Sequence, residues 1–422
     1  MFYNTKHYHL VVVGGGLSGV ACAVSAAREG LKVLLIEKSG CLGGAIANNL
    51  IYPFMKYWEY DAEHEQLHLL SSGIFTEMRK TANLFEEETG LATFKPESFK
   101  RALDKMVLDA GVDVLFHATV YNAQTQNDKV ISVQALTKSG KLTFSADFFT
   151  DATGDGELIE FTHCDLQKGR ESDGQCQPMT TCFRMSGVDF DILDQDYLIL
   201  QEKYKRAREL GKIKNPRENI LTMRGICDGI LHLNTTRVIG LDPTDAFDLS
   251  KAEILGREQV YEMVEFLKEN SDAFKNAAVI SIANEIGVRE SRKLKGLHVL
   301  TAEELKACTQ FEDGIAVGNY EIDIHNPSGT GTFLYYFKPG EKYTIPYRSL
   351  VPKEYTNLLV AGRCLSATHE AHSAVRIMPI CACLGQAAGT AIAIAHQTNA
   401  TTHSVDTQLI RKKLKENGAY VI

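Results

Sequence analysis

The stretch LVVVGGGLSG, residues 10–19, constrains the fold more than any other part of the chain. Apolar residues with the pattern of a buried strand run straight into three glycines, and Gly19 follows. Each glycine costs roughly 0.5–1 kcal/mol of extra backbone entropy relative to alanine. Such a concentration marks a place where backbone must approach something that a side chain would exclude. Gly14, Gly16 and Gly19 form G-x-G-x-x-G between a strand over 8–13 and a helix over 17–29 that ends at Gly30. A second buried strand follows at 31–37, so the pattern is a βαβ unit of the length a dinucleotide fold requires. The first glycine allows the tight turn, the second admits a pyrophosphate, and the third lets helix and strand pack closely. The helix N-terminus then offers free N–H groups and positive dipole to the phosphates. Glu37 ends the second strand, 23 residues after Gly14, where a carboxylate accepts hydrogen bonds from a ribose.

Composition narrows the class. The chain has 422 residues, 44% hydrophobic and 23% charged, as in a soluble globular protein with room for two to three domains. A formal charge of −8 argues against a nucleic-acid partner. Ten cysteines with no C-x-x-C pair suit reduced thiols in a cytoplasmic protein, and neither a disulfide framework nor a metal site is expected. The first residues, MFYNTKHYHL, show no basic start followed by a long apolar run with a cleavage site, so no signal peptide is expected. The most apolar window, 377–395, contains Pro, Gln and two Gly, and is expected to be a packed helix, so no membrane span is expected.

Along the rest of the chain, 64–90 reads as helical, 99–110 as an amphipathic helix and 112–120 as a strand. Residues 129–150 alternate as a β-meander that ends in DATGDGE at 151–157. From 165 to 345 a mixture of strands (179–188) and charged helices (197–211, 250–270, 302–308) reads as an insertion. The chain then returns to an apolar strand, NLLVAGR at 357–363, a polar loop at 364–376, a helix from Pro379 and a charged helix at 404–418. The expected fold is α/β: a Rossmann-like domain of parallel sheet plus β-meander with an inserted α+β substrate domain. The boundaries are 1–50, 95–165 and 345–422 for the discontinuous first domain, and 51–94 with 166–344 for the substrate or cap domain.

The motifs GGGLSG…IEKSGCLGG, DATGDGE, IGVRESRKLKG, DIHNPSG and NLLVAGRCLSATHEAHSAVRIMP…LGQAAGTA together resemble the bacterial FAD-dependent oxidoreductase family of the glutathione-reductase-like superfamily. That family is related in fold to fumarate reductase flavoproteins. The resemblance spans nearly the whole chain and implies FAD as cofactor. It implies that Gly14, Gly16, Gly19, Glu37, Lys38, Gly43, Gly44, Ala152, Thr153, Gly154, Gly362 and Arg363 touch FAD, with Val120 on the adenine side. Many related flavoenzymes carry Asp where Arg363 stands; an arginine there would bond phosphate or flavin oxygens directly.

Flavin exchanges hydride at N5 and develops negative charge at N1 and O2. The helix from Pro379 would turn the backbone of Met378, Pro379 and Ile380 toward that charge. The loop before it offers His369 and His372 as bases and Arg376 as an anion or flavin ligand. At helical spacing Arg289 and Arg292 would share a face and clamp a carboxylate, or be tied to internal acids. His325, in a turn-rich loop with Asp323 and Asn326, would reach the flavin or sit on the surface. The candidate catalytic set is therefore His369, His325, Arg376 and Arg289.

There is no second G-x-G-x-x-G, so electrons are expected to pass directly between flavin and substrate, with oxygen, a quinone or a carrier protein in the other half-reaction. The expected reaction is hydride transfer between flavin N5 and a small polar metabolite of alcohol, amine or sugar type, with anionic groups favoured by the arginines. One alternative is a C=C reductase of fumarate-reductase type, with Arg289 or Arg376 as proton donor. Another is a non-catalytic flavin-bound subunit of a complex.

Overall fold

The computed structural model describes residues 6–61, 65–86 and 90–422. Its main sheet has seven strands, in the order Asp113–Leu115, Val33–Ile36, Lys6–Val13, Gly140–Asp151, Lys129–Thr137, Thr119–Gln126, with Leu358–Val360 also pairing Gly140–Asp151. The twelve-residue strand Gly140–Asp151 joins two architectures. Its first half pairs antiparallel with Lys129–Thr137 to make the meander, and its last three residues pair parallel with Leu358–Val360. On its other edge it runs parallel to the first strand, with Val11 opposite Phe149 and Val13 opposite Asp151. All parallel strands therefore end at the level of Val13, Ile36, Asp151 and Val360, where an open α/β sheet binds its ligand.

The parallel strands read as continuous apolar runs because both faces are covered. One cover is a helix pair, Leu17–Arg28 and Met378–Thr398. A Cβ on Gly385 would collide with the Ser18 carbonyl oxygen, and one on Gly389 with that of Cys22, so the two helices cross backbone to backbone. Met378–Thr398 is long and apolar enough to cross a membrane, but 89% of its apolar window is buried within the protein.

A second sheet of four antiparallel strands, Thr222–Met223, Ile230–Leu233, Phe183–Ser186 and Ala278–Ile282, carries its own core. Phe183, Met185, Leu231 and Leu233 pack there with residues of the helices Phe190–Glu209 and Ala246–Asn270. Residues of 52–82 and 294–355, among them Phe54, Phe75, Ile315 and Tyr343, belong instead to the core of the main sheet.

Three sequence expectations are corrected. Residues 64–90 are not one helix: a strand Gln66–Leu69 precedes the helix Ile74–Ala82, and Gly73 at φ +64° breaks the chain between them. Residues 62–64 and 87–89 lie outside the described residues. The strand expected over 112–120 is two, Asp113–Leu115 and Thr119–Gln126, because His117 takes φ +53°. The polar loop at 364–376 contains a helix, His369–Val375, whose first turn is capped by Thr368 accepting from Ala371 N.

Candidate active site

The glycine-rich turn is built from contacts that only glycine permits. Gly14 sits at φ +102° against the Ala152 carbonyl, and Gly19 lies so close to the Gly14 oxygen that no Cβ would fit. Gly16 differs: a Cβ there would meet no atom within 4 Å. It is the N-cap of Leu17–Arg28, and no side chain caps that helix. The first-turn N–H groups therefore border an open cradle that a side chain at position 16 would fill. Gly44, at φ +48°, forms the opposite wall, its Cβ position 3.0 Å from Gly16 Cα, and Gly43 N donates to Gly15 O at 2.9 Å. Glu37 is buried and accepts from Gly15 N at 2.6 Å and from Ser39 N at 2.7 Å, so its carboxylate fixes the glycine loop at the point where the second strand ends. An uncapped helix end, a side-chain-free cradle and an ionisable group at the strand end fit the diphosphate and ribose of FAD. Val120 lies on the outer meander strand opposite Ala135. Lys38 is exposed, with Nζ 3.5 Å from Glu285 Oε2.

The DATGDGE turn is held from beneath. Asp151, fully buried, accepts from Thr153 N at 3.0 Å, Thr153 Oγ1 at 2.7 Å and Ile159 N at 2.9 Å. Ala152 N donates to Val13 O, and Gly154 lies against the Arg363 guanidinium. Arg363 Nη2 donates to Asp155 Oδ1 at 2.8 Å, Nη1 donates to the Val288 carbonyl, and Ser291 Oγ donates to the same Asp155 oxygen at 2.6 Å. Arg363 thus fastens three sequence-distant segments to one another through these two nitrogens. Gly362, at φ +88°, brings its backbone against the Ser18 hydroxyl. The helix Met378–Thr398 starts at Met378 with Pro379 and Ile380 in its first turn, and its N-cap Ile377 supplies no side-chain bond.

His369, in the helix His369–Val375, is buried, with Nδ1 2.7 Å from Glu290 Oε2 as a close contact outside aligned hydrogen-bond geometry, and no hydrogen-bond partner for Nε2 among the described residues. Glu290 is itself fully buried; Lys293 donates to it through Nζ, and Gln177 donates its backbone N–H at 3.2 Å. Burial works against a buried carboxylate, but the His369 contact and the Lys293 charge outweigh it and hold Glu290 well below the usual range. His372 is tied to the Arg363 carbonyl through Nε2 at 2.8 Å, and burial keeps its ring neutral.

Gln177 links this unit to a second one: its side-chain oxygen accepts from His325 N at 3.2 Å. His325 lies on the strand Ile322–His325, not in a loop. Its Nδ1 is 3.1 Å from Arg237 Nη2, and its Nε2 is 3.4 Å from Asp323 Oδ2. An arginine only donates, so Nδ1 accepts and the ring proton sits on Nε2 facing Asp323. Burial and the charge of Arg289 push His325 down to about 3, so it is neutral at pH 7. Burial would raise Asp323, but its contact with His325 and the charges of Arg376 and Arg289 hold it well below the carboxylate range. Tyr320 Oη also donates to Asp323 at 3.2 Å.

Arg376 donates Nη1 to the Arg289 carbonyl at 3.1 Å and Nη2 toward the Asp323 carbonyl at 3.5 Å. Arg289 donates to the Pro178 carbonyl at 2.8 Å and to Thr180 Oγ1. Burial and then the charge of Arg376 push it down to about 9. Arg289 and Arg292 do not share a helix face. The chain is extended there: Arg292 begins a strand paired with Leu166–Lys168 and reaches Glu160 at 3.3 Å. Arg217 and Arg237 complete the cluster, Arg237 with Glu218 at 3.1 Å. Four guanidinium groups thus act on one another around two carboxylates, Asp323 and Glu218, and positive charge remains in excess.

The structure therefore brings His369, His325, Arg376 and Arg289 into one connected region. Lys293, Gln177, Arg217 and Arg237 join it without a sequence signal, because only folding assembles them from four distant segments. Cys41 approaches Asn48 Oδ1 at 3.8 Å, and all ten cysteines are free thiols.

A family profile described as FAD dependent oxidoreductase matches residues 9–414. A glutathione reductase of Schizosaccharomyces pombe is 44% identical over 55 residues, 13% of this chain and 12% of that protein. A glycerol-3-phosphate dehydrogenase of Mycobacterium leprae is 30% identical over 100 residues, 23% of this chain and 15% of that protein. The chain thus spans well under two thirds of the curated relatives it matches. Among solved structures, a geranylgeranyl bacteriochlorophyll reductase-like protein of Thermoplasma acidophilum covers 98% of this chain and 83% of its own at 15% identity and a TM-score of 0.48. The match over nearly the full length, on a chain whose glycine turn, strand-end carboxylate and uncapped helices fit the cofactor, shows that the protein belongs to the FAD dependent oxidoreductase family, with FAD as its cofactor.

Proposed function

We propose that the protein is an FAD-dependent oxidoreductase that moves hydride between flavin N5 and a small polar metabolite bearing an anionic group. The observation that carries this reading is the His369–Glu290 pair, which shares Gln177 with the arginine-rich cluster. When bound, FAD supplies the hydride acceptor and the conjugated ring that spreads the resulting charge.

His369 is the general base. Glu290 orients its Nδ1 side, and Nε2 is left free to take the hydroxyl or amine proton of the substrate as the C–H hydride departs. Burial excludes water from that nitrogen. Arg376 and Arg289 hold the anionic group of the substrate, since among the described residues the groups they bond are carbonyls and a hydroxyl and no direct ion pair compensates either charge. His325, with both nitrogens engaged, orients Asp323 and is a positioning residue. The uncapped start of Met378–Thr398 favours negative charge on the flavin ring. Oxygen, a quinone or a carrier protein accepts the electrons in the second half-reaction.

A second reading, reduction of a C=C bond with Arg289 or Arg376 as proton donor, is favoured by one observation: among the described residues both guanidiniums bond only to carbonyls and a hydroxyl, with no carboxylate paired to either. The experiment is anaerobic titration of the flavin-loaded protein, followed by its visible spectrum, with alcohols, hydroxy acids, sugars and amines, and separately with NADH and NADPH. Bleaching by one donor class supports the dehydrogenase or oxidase reading. Reoxidation of dithionite-reduced protein by unsaturated acids, with no bleaching by any donor, supports the C=C reductase. Neither response removes both.

A further inference from the structure

The second sheet has two faces. Phe183, Met185, Leu231 and Leu233 point into its core. The alternation of a strand sends Arg184, His232 and Ser281 to the opposite face. These three are register neighbours: Arg184 pairs with His232 on one side and with Ser281 on the other. One polar side chain from each of three adjacent strands thus forms a row across the sheet.

None of the row is satisfied. Arg184 Nε and Nη2, both ring nitrogens of His232 and Ser281 Oγ are buried and have no hydrogen-bond partner among the described residues. His232 is 0% exposed. Leaving a buried donor unmade costs about 1–3 kcal/mol, and more for a charged group, a cost that a ligand bearing acceptor oxygens would remove. The acid that acts most on Arg184, Glu97, is bound to Lys100 at 2.9 Å, and no ion pair joins Arg184 to a carboxylate among the described residues.

The free atoms select the ligand. Nε and Nη2 are the parallel donors along one edge of the guanidinium, spaced to meet the two oxygens of a carboxylate. His232, neutral because burial pushes it down to about 3, has one N–H to add, and the Ser281 hydroxyl a third contact. An aromatic wall stands beside them: the Tyr52 ring is 5.5 Å from His232 and 5.0 Å from Phe94. That wall suits the carbon body of an organic acid and offers nothing to inorganic phosphate.

We propose that Arg184, His232 and Ser281 form a carboxylate-binding subsite on the face of the second sheet opposite its own core, which receives a carboxylate of the substrate separate from the anionic group held by Arg376 and Arg289. Its assignment to the substrate rests on the proposed function; the binding itself does not. Arg289 donates to Thr180, four residues before Arg184, so the subsite and the arginine cluster adjoin along the chain.

The test is calorimetric titration of the flavin-loaded full chain with benzoate and with succinate, with inorganic phosphate as competitor. One equivalent of at least one organic acid is expected to bind. Ser281→Ala, which removes one hydroxyl and no charge, weakens it at least threefold. Arg184→Gln weakens it at least tenfold, and Arg184→Lys restores part. Flavin content and circular dichroism verify folding of each variant. Failure of both acids to bind, equal competition by phosphate, or unchanged affinity in Ser281→Ala and Arg184→Lys overturns the subsite. No turnover is read, so absence of flavin bleaching by any donor sinks the redox reading and leaves this result standing, and the converse also holds.

Discussion

Arg376 donates a hydrogen bond to the backbone carbonyl of Arg289 at 3.1 Å, and the charges of the two guanidiniums act on one another. Asp323 faces both charges and offsets part of their repulsion, and a substrate anion would offset more of it. Arg376→Gln is therefore expected to raise KM for an anionic donor about 10- to 100-fold, equivalent to roughly 1.5–3 kcal/mol for hydrogen bonds to a charged group. The rate at saturation falls less. The measurement is the concentration dependence of anaerobic flavin bleaching, and an unchanged KM would remove Arg376 from substrate binding.

His369→Asn keeps a polar side chain of similar size and removes the base. Turnover is expected to drop about 10²- to 10⁴-fold with full flavin content retained. Glu290→Gln, which leaves the imidazole in place without its carboxylate, is expected to fall between that variant and the wild type and to shift the pH profile of bleaching. If His369→Asn turns over at the wild-type rate, the base lies elsewhere.

The glycine turn separates folding from cofactor binding. Gly16→Ser places a hydroxyl in the open cradle at a backbone conformation (φ −67°) that serine accepts as a helix cap. Apoprotein stability is expected to be unchanged or slightly higher while flavin affinity falls at least tenfold, read from the visible absorbance after gel filtration. Gly19→Ala, whose methyl would strike the Gly14 oxygen, is expected to damage the fold itself. A Gly16→Ser protein with full flavin occupancy would refute the cradle.

His325 is neutral when folded and titrates near 6.5 when unfolded, with its native value pushed down to about 3. Between those values the unfolded chain takes up a proton that the native protein refuses. The stability is therefore fully present above pH 6.5 and is lost as the pH falls toward 3. His325→Gln retains an acceptor for Arg237 and does not titrate. Its thermal midpoint is expected to fall less steeply than that of the wild type between pH 6.5 and 4. Parallel curves would assign the acid sensitivity to other groups.

The parts of the molecule legible in sequence are those specified by neighbours in the chain. The strand–glycine–helix turn is one, because Gly14, Gly16 and Gly19 lie within six residues and their spacing is the geometry. The helix at Pro379 is another, since proline in the first turn is a local signal. Thr368 carried an equally local capping signal for His369–Val375, and the polar composition of that segment obscured it. The spacing of Arg289 and Arg292 predicts a shared helix face, but the strand pairing of Arg292–Leu294 with Leu166–Lys168 makes that stretch extended, and no local pattern announces a partner more than a hundred residues away. Arg184 and His232 were invisible for the same reason: their adjacency is a register between strands almost fifty residues apart.

The backbone-to-backbone crossing of Leu17–Arg28 and Met378–Thr398 has a bearing on biosynthesis. Gly385 and Gly362 both lie against Ser18, so the opening turn of the first helix acquires these neighbours only after some 340 further residues have been made. Leu358–Val360 likewise completes the parallel sheet late. A ribosome-bound chain that stops before residue 357 holds the whole glycine fingerprint yet lacks the wall behind it. Flavin colour in the growing polypeptide is thus expected only once the strand Leu358–Val360 and the helix Met378–Thr398 have emerged.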